Sequence, residues 1–550
     1  MNFKNIYKII IPFAVILVFS GFFTGRDDVY FEINKNIDLF GKVYKEVTFN
    51  YVDKVDPEEF MRAGIRGMLS VLDPYTIFMD QDKKEDIDLI TNGKYGGVGV
   101  SIGVRGDKVT VVEVMDGYSA QKQGLRVGDV LVEAGGKKIT PDNVDEISAL
   151  VKGDPGTMVN LKVLRNGSRD TLSFNLVREE VKVRSLVYSG FYPANSNNVY
   201  LKLTSFSRSA GDEIQKALKE LKAQKEIKSI VLDLRGNPGG LLDVAVDIAD
   251  KFLPKGDLVV TTKGRDEGSK KSFYSAQVPM VGKARLVVLI DGGSASASEI
   301  VTGAMQDHDR GVVLGTKSFG KGLVQTITPL DYNTSLKITT AKYYTPSGRC
   351  IQKIDYAKEN KAISEVDSVI KTSFLTDHKR VVYSAGGITP DTVVKDDIDG
   401  DITKDLLAKG IFFQFADYYY YAHPKADFFA MNSSDLFEDF DRYLTTQKYT
   451  FHSVAEQQVN HLLSDAKIKK GEKSIADGLE RIKSEFEKLG NSELKIYKNE
   501  ILTELKIELA ERYLGNKGRI EEELSFDNQF QTALQILNEP KVYDKILNLN

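Results

Sequence analysis

Three serines stand at alternate positions in the stretch "DGGSASASEIVTGAMQD" (291–307): Ser294, Ser296 and Ser298. An apolar run, "ARLVVLI" (284–290), leads into it, so the pattern predicts a buried strand, a glycine turn and then a helix. The first turn of a helix carries N–H groups without intrahelical acceptors, and its dipole favours negative charge. A serine there can attack a carbonyl carbon while a neighbouring N–H receives the oxyanion. Ser294 and Ser298 lie four apart and share a helix face, and Ser296 points the other way. Capping competes with catalysis: Ser296 and Glu299 have the spacing of a capping box, and the local residues alone favour that role.

A catalytic serine needs a base, and the chain has five histidines. His308 is the nearest; at the end of a continuous helix it would stand ~18 Å from Ser296, out of reach. His378, His423, His452 and His461 fall beyond the region of alternating strands and helices. No cluster of metal ligands is seen, and neither a metal nor a cofactor is expected. The remaining candidate is a lysine in "GTKSFGKGLVQ" (315–325), where Gly320 and Gly322 flank Lys321 and suit a tight turn. The same stretch nearly fits a phosphate-binding loop, but Gly322 stands where that motif needs a hydroxyl. Moreover, "LVQTITPL" reads as strand where the motif needs helix. Lysine must be neutral to take a proton, yet free in water its pKa is ~10.4. Burial depresses that value, and Phe319, Leu323 and Val324 are expected to supply the apolar surroundings.

The elements that must hold these residues can be read along the chain. Its 550 residues suggest three or four domains. A net charge of -4 without long basic runs argues against nucleic acid as a partner. The single cysteine, Cys350, excludes an internal disulfide. Lys4 and Lys8 precede an apolar run at 9–23, which reads as an export signal. Its cleavage site is poor, with Val18 and Ser20 the best fit, so retention as a membrane anchor stays open. Residues 30–90 look helical until "LDPY" (72–75) breaks the pattern. From 91 glycines cluster and period-two strands such as "KVTVVEV" (108–114) follow. From about 186 to 350 strands alternate with helices, one expected at 210–225. After 401 helical periodicity returns. Leu494, Tyr497, Ile501, Leu505 and Leu509 mark one face of a helix expected to end near Gly515. The aromatic stretch "FFQFADYYYY" (412–421) is expected in a core.

Taken in order, "LDLRGNPGG" (232–240), "GGSASASE" and "FGKGLVQ" resemble the carboxyl-terminal processing peptidases, the tail-specific serine proteases. "TPSGRCIQ" and "GGITPD" resemble later signatures of that family. The resemblance covers roughly residues 30–400, and it implies a serine endopeptidase with Ser296 as nucleophile and Lys321 as general base. It implies further that Gln325 orients the lysine and that the N–H groups of Ala297 and Gly240 form the oxyanion hole. "YGGVGVSI" resembles the carboxylate-binding loop of a PDZ domain, with Gly97, Val98, Gly99 and Val100 as the peptide-binding residues. Lys317 and Cys350 depart from the usual glutamate and serine, and residues 352–386 form a longer spacer than in compact members.

The implied fold class is multidomain α/β and α+β. A PDZ domain (91–180) is inserted between an N-terminal helical region (26–90) and a crotonase-like α/β protease core (181–400). A signal or anchor (1–25) precedes these and a helical region (401–550) follows. The implied partners are proteins or peptides with free C-termini, with an adaptor protein and membrane association through the N-terminal segment as further expectations; the implied location is the periplasm. The competing reading is a non-catalytic PDZ-containing protein that binds peptide or lipid. Loss of the serine or the lysine would have signalled it, and both are present.

Overall fold

The structure is a computed structural model and describes residues 24–80, 93–165, 170–354, 356, 372–384, 386–395, 398–465 and 473–549. Residues up to Asp80 together with Gln325–Thr339 form one compact unit, and Gln81–Val324 with Thr340–Asn550 form the other.

In the larger unit, the runs "IVL" (230–232) and "LVVLI" (286–290) carry apolar side chains on both faces, so they need cover on both. They lie in the middle of a six-stranded sheet. Its strands are β1 (Leu186–Phe191), β2 (Asn198–Leu203), β3 (Ser229–Asp233), β4 (Arg285–Ile290), β5 (Val312–Gly315) and β6 (Thr392–Val393), side by side in that order. β1 runs antiparallel to β2, and every later pair is parallel. Helices α1 (Ala210–Gln224), α2 (Leu242–Asp250) and α3 (Ala297–Asp307) pack on one face, where Ile214, Ile248 and Val301 meet Leu201, Leu232 and Val288. The alternate residues Tyr200, Val231, Val287 and Leu314 point to the other face. There the cover comes from the end of the chain, with Leu524, Tyr543 and, from α4 (Asn528–Asn538), Phe530 and Leu534.

Two helices precede α4. Leu494 belongs to the helix Lys473–Ile496, Tyr497 caps the next helix, Lys498–Phe526, and the expected single face through both is therefore divided. At Gly515 the helical path ends where the sequence placed its end, at φ 73° and ψ -174°, a conformation open to glycine, and a further helical stretch follows to Phe526. Before the break Ile501, Leu505 and Leu509 pack with Phe412, Phe415 and Phe440; after it Ile520 and Leu524 pack on the sheet. The aromatic stretch is thus core at Phe412 and Phe415, as expected, and exposed at Tyr418.

The period-two segments form a second sheet, wholly antiparallel. Its order is Val100–Arg105, Lys108–Val114, Val130–Ala134, Met158–Leu164 and Leu172–Val177, and the first of these is an edge strand. The helix Val144–Val151 closes its core through Ile147, against Val111 and Leu161. The glycine-rich loop lies between Lys94–Gly97, which pairs with Glu179–Lys182, and the edge strand.

The smaller unit carries the helices Thr24–Asn50 and Pro57–Leu69. The helical expectation for 30–90 fails after "LDPY". Asp73 turns the chain by accepting the N–H groups of Tyr75 and Thr76, and Ile77–Met79 is a strand paired with Ser335–Lys337. The rest of that span, 81–90, lies outside the described residues.

Phe530 is fully buried, with its ring 5.2 Å from Tyr200 and 5.5 Å from Tyr192. Phe530→Ala should cost about 3–5 kcal/mol of stability, read from the urea midpoint. A variant as stable as the parent would show that the chain end does not complete the core.

Candidate active site

β4 runs into Asp291, whose Oδ1 accepts the N–H groups of Gly236, Gly293 and Ser294 at 2.8–3.0 Å. This carboxylate bends the chain out of the sheet and ties it to the loop after β3. The three serines then separate by environment. Ser294 and Ser298 are fully buried, and their hydroxyls donate to the carbonyls of Leu234 and Asn237, each at 2.8 Å. Ser296 alone of the three is accessible to solvent. It is the N-cap of α3, held at φ 55° and ψ -112°, a region that a residue with a Cβ rarely occupies. Such strain persists only where surrounding bonds over-determine it. Here those bonds are the Ser296 N–H to Glu299 Oε2 at 2.9 Å, the Tyr343 hydroxyl to the Ser296 carbonyl at 3.2 Å, and the Ala295 N–H to the Asn237 carbonyl at 3.0 Å.

The loop after β3 lies against this turn. A Cβ on Gly239 would stand 2.8 Å from the Ala297 nitrogen and 2.9 Å from Ser296 Cβ, so only glycine fits. Gly240, at φ 152°, bridges to Phe206. Among the described residues no acceptor meets the N–H of Ala297 or of Gly240. Asn237 is the internal brace: its side chain donates to the Leu203 carbonyl and accepts the Gly239 N–H.

Lys321 reaches the same place through Glu299, a residue that sequence reasoning saw only as a capping partner. Glu299 is fully buried, and its carboxylate accepts four donors. Oε1 takes the Ser318 hydroxyl at 2.5 Å and the Gly320 N–H at 2.7 Å. Oε2 takes the N–H groups of Ser296 and Lys321, both at 2.9 Å. One oxygen therefore fixes the backbones of the serine and the lysine together. The two late signatures clasp the lysine turn from outside. Gln352 Oε1 accepts the Gly322 N–H, the Ile388 N–H donates to Ser318 Oγ, and a Cβ on Gly320 would stand 2.9 Å from the Gly387 nitrogen. Leu323 is buried as expected and Val324 partly so, but Phe319 is about half exposed, so it does not supply the apolar cover expected of it. Gln325 belongs to the smaller unit, where its amide donates to Thr339 Oγ1 at 3.2 Å.

His308 closes α3, and both ring nitrogens are engaged, with Asp377 Oδ2 and the Leu258 carbonyl, each at 2.8 Å. Burial works to lower its pKa, but the carbonyl and the carboxylate outweigh burial and raise it. Gly97, Val98, Gly99 and Val100 are buried. The carbonyls of Val98 and Gly99 are taken by the Ala120 and Met115 N–H groups, and among the described residues no acceptor meets the Val98 or Gly99 N–H. A Cβ on Gly99, at φ 80°, would stand 2.4 Å from Tyr118 Cβ.

Residues 197–359 match Peptidase family S41, 96–176 a PDZ domain, 25–83 the activating protease CtpB N-terminal domain, and 402–537 the C-terminal helical domain of a probable PDZ-protease. A carboxy-terminal-processing protease of Bartonella bacilliformis is 38% identical over 58% of this chain and 73% of its own length. The carboxy-terminal processing protease CtpB of Bacillus subtilis is 31% identical over 70% of this chain and 76% of its own. Among solved structures, a photosystem II D1 C-terminal processing protease shares 26% identity, covers 64% of this chain and 85% of its own, and superposes with a TM-score of 0.36.

Burial pushes the Glu299 carboxyl up to about 7, against the hydrogen bonds it accepts from Ser318, Lys321, Gly320 and Ser296. Unfolded, it titrates near ~4.3. Across that window the folded protein holds a proton that the unfolded chain has lost, so the group's contribution to stability falls as pH rises and is level above about 7. The unfolding free energy of the parent minus that of Glu299→Gln should fall by about 3 kcal/mol between pH 4.5 and 7.5 in urea titrations. A difference that stays flat would refute the raised value.

Proposed function

Because the chain belongs to the carboxy-terminal processing proteases, we propose that it is a serine endopeptidase in which Ser296 is the nucleophile and Lys321 the general base. The observation that carries this reading is the Glu299 oxygen that accepts both the Ser296 and the Lys321 N–H. In this mechanism the neutral Lys321 amine takes the Ser296 Oγ proton as Oγ attacks the scissile carbonyl carbon. The carbonyl oxygen becomes an oxyanion that accepts the N–H groups of Ala297 and Gly240, both preset before substrate arrives. The intermediate collapses as the lysine ammonium returns its proton to the leaving amine. Water, deprotonated by the same lysine, then hydrolyses the Ser296 ester and regenerates both groups.

Recognition of the substrate tail falls to the small β domain. Val98 and Gly99 have N–H groups available for a terminal carboxylate, and Val100–Arg105 is an edge strand on which a peptide can add as a further strand. The protein is exported, on the evidence of Lys4, Lys8 and the apolar run at 9–23, which lies outside the described residues. Among the described residues no helix is long and apolar enough to cross a membrane.

Ser296→Ala and Lys321→Arg should each lower cleavage of a denatured polypeptide at least ~10³-fold with unchanged circular dichroism. The arginine variant keeps the charge but does not deprotonate, so an active Lys321→Arg protein would exclude the lysine base. The parent's kcat/KM should rise through neutral pH into the mildly alkaline range, as the amine loses its proton. Amidating the C-terminus of a good peptide substrate should lower kcat/KM roughly tenfold, since a charge-assisted hydrogen bond is lost. Equal rates for the acid and the amide would remove the carboxylate from the recognition scheme.

A further inference from the structure

The loop that presents Gly240 is rich in glycine and needs restraint from its surroundings. Gly236, Gly239 and Gly240 all have positive φ, at 66°, 99° and 152°, and glycine restrains such conformations poorly. An oxyanion donor must nevertheless be fixed in advance. The far end of the loop is bridged to Phe206. The near end is Arg235, between Leu234, whose carbonyl holds Ser294, and Gly236, whose N–H is held by Asp291. Its guanidinium is mostly buried. Nε donates to Asp233 Oδ1 at 3.0 Å, and Nη2 donates to Asp233 Oδ2 and to Asp527 Oδ2, both at 2.6 Å. Nη1 donates to Gln529 Oε1 at 3.1 Å.

Asp527 and Gln529 come from the chain end, nearly three hundred residues away in sequence. Each is itself held. Asp527 Oδ1 caps α4 by accepting the Phe530 N–H at 2.9 Å, and Gln529 Nε2 donates to the Val394 carbonyl at 2.9 Å. Asp233 is fully buried and also accepts the Tyr200 hydroxyl at 2.6 Å. Two buried carboxylates thus surround one guanidinium. Burying that extra charge is not what apolar docking of a helix on a sheet requires, since ion pairs in such places are costly.

We propose that Asp527 and Gln529 are positioning residues for peptide hydrolysis: acting through Arg235, they fix the glycine loop so that the Gly240 N–H faces the oxyanion. The proposal rests on the reading of Gly240 as an oxyanion donor. It gives the last helices of the chain a part in the reaction as well as in the core.

The test is steady-state cleavage of a peptide by full-length variants. Asp527→Asn keeps a good N-cap but loses the charge held against Arg235; kcat should fall about tenfold at unchanged KM. Gln529→Ala, which leaves the cap and both ion pairs, should lower kcat about threefold, and it carries the test if Asp527→Asn does not fold. Phe530→Leu is the control for packing: its unfolding midpoint should drop at least as far, with kcat within about twofold of the parent. Full kcat in Asp527→Asn and Gln529→Ala overturns the proposal. So does an equal fall of kcat in Phe530→Leu, which would reduce the contact to stability. Ser296→Ala in the same assay separates the two levels: if it still cleaves, the site assignment fails and not merely the clamp.

Discussion

The site hangs on one buried carboxylate. Glu299 leaves water altogether, which disfavours its charged form, and four donors among the described residues compensate it. Those donors come from the serine, from the lysine and from the turn just before the lysine. None of them is a charged group. Three of the four are backbone N–H groups, so the carboxylate organises main chain on both sides of the site. The arrangement also explains how Ser296 tolerates its backbone angles, since the strain is spread over bonds on both sides of the residue.

Around that centre, loops from the C-terminal ends of parallel strands converge, the usual place for a site in such sheets. The loop after β3 brings Asn237, Gly239 and Gly240, the loop after β4 brings Ser296, and the turn after β5 brings Lys321. The loops brace one another more than they are braced by the sheet: the Asn237 carbonyl alone holds Ala295 and Ser298. The braces between the loops after β3 and β4 join residues about sixty apart in the chain.

That separation marks the limit of what could be read in advance. Apolar runs announced β3 and β4, period two announced the small antiparallel sheet, and the glycine-flanked lysine announced a turn, because these signals are local. Whether Ser294, Ser296 or Ser298 is accessible depends on which carbonyl each hydroxyl meets, and Leu234 and Asn237 are distant in sequence. Glu299 was legible as a cap from its spacing, but its other three donors lie some twenty residues further on. The helix break at Gly515 was legible from the glycine. That the chain then turns to a different core was not, since Ile520 and Leu524 have the same periodicity as the residues before them.

The second face of the sheet has a consequence in time. Val231, Val287 and Leu314 are synthesised long before Leu524, Phe530 and Tyr543, the residues that cover them. A growing chain therefore carries the serine and lysine loops on a half-clad sheet, and the sheet gains its second cover only when translation reaches the last helices. An interrupted chain keeps an exposed apolar face, the kind of surface that quality-control machinery retains. The order of synthesis and the order of packing together delay a finished core until the residues from Ile520 to Leu547 have emerged.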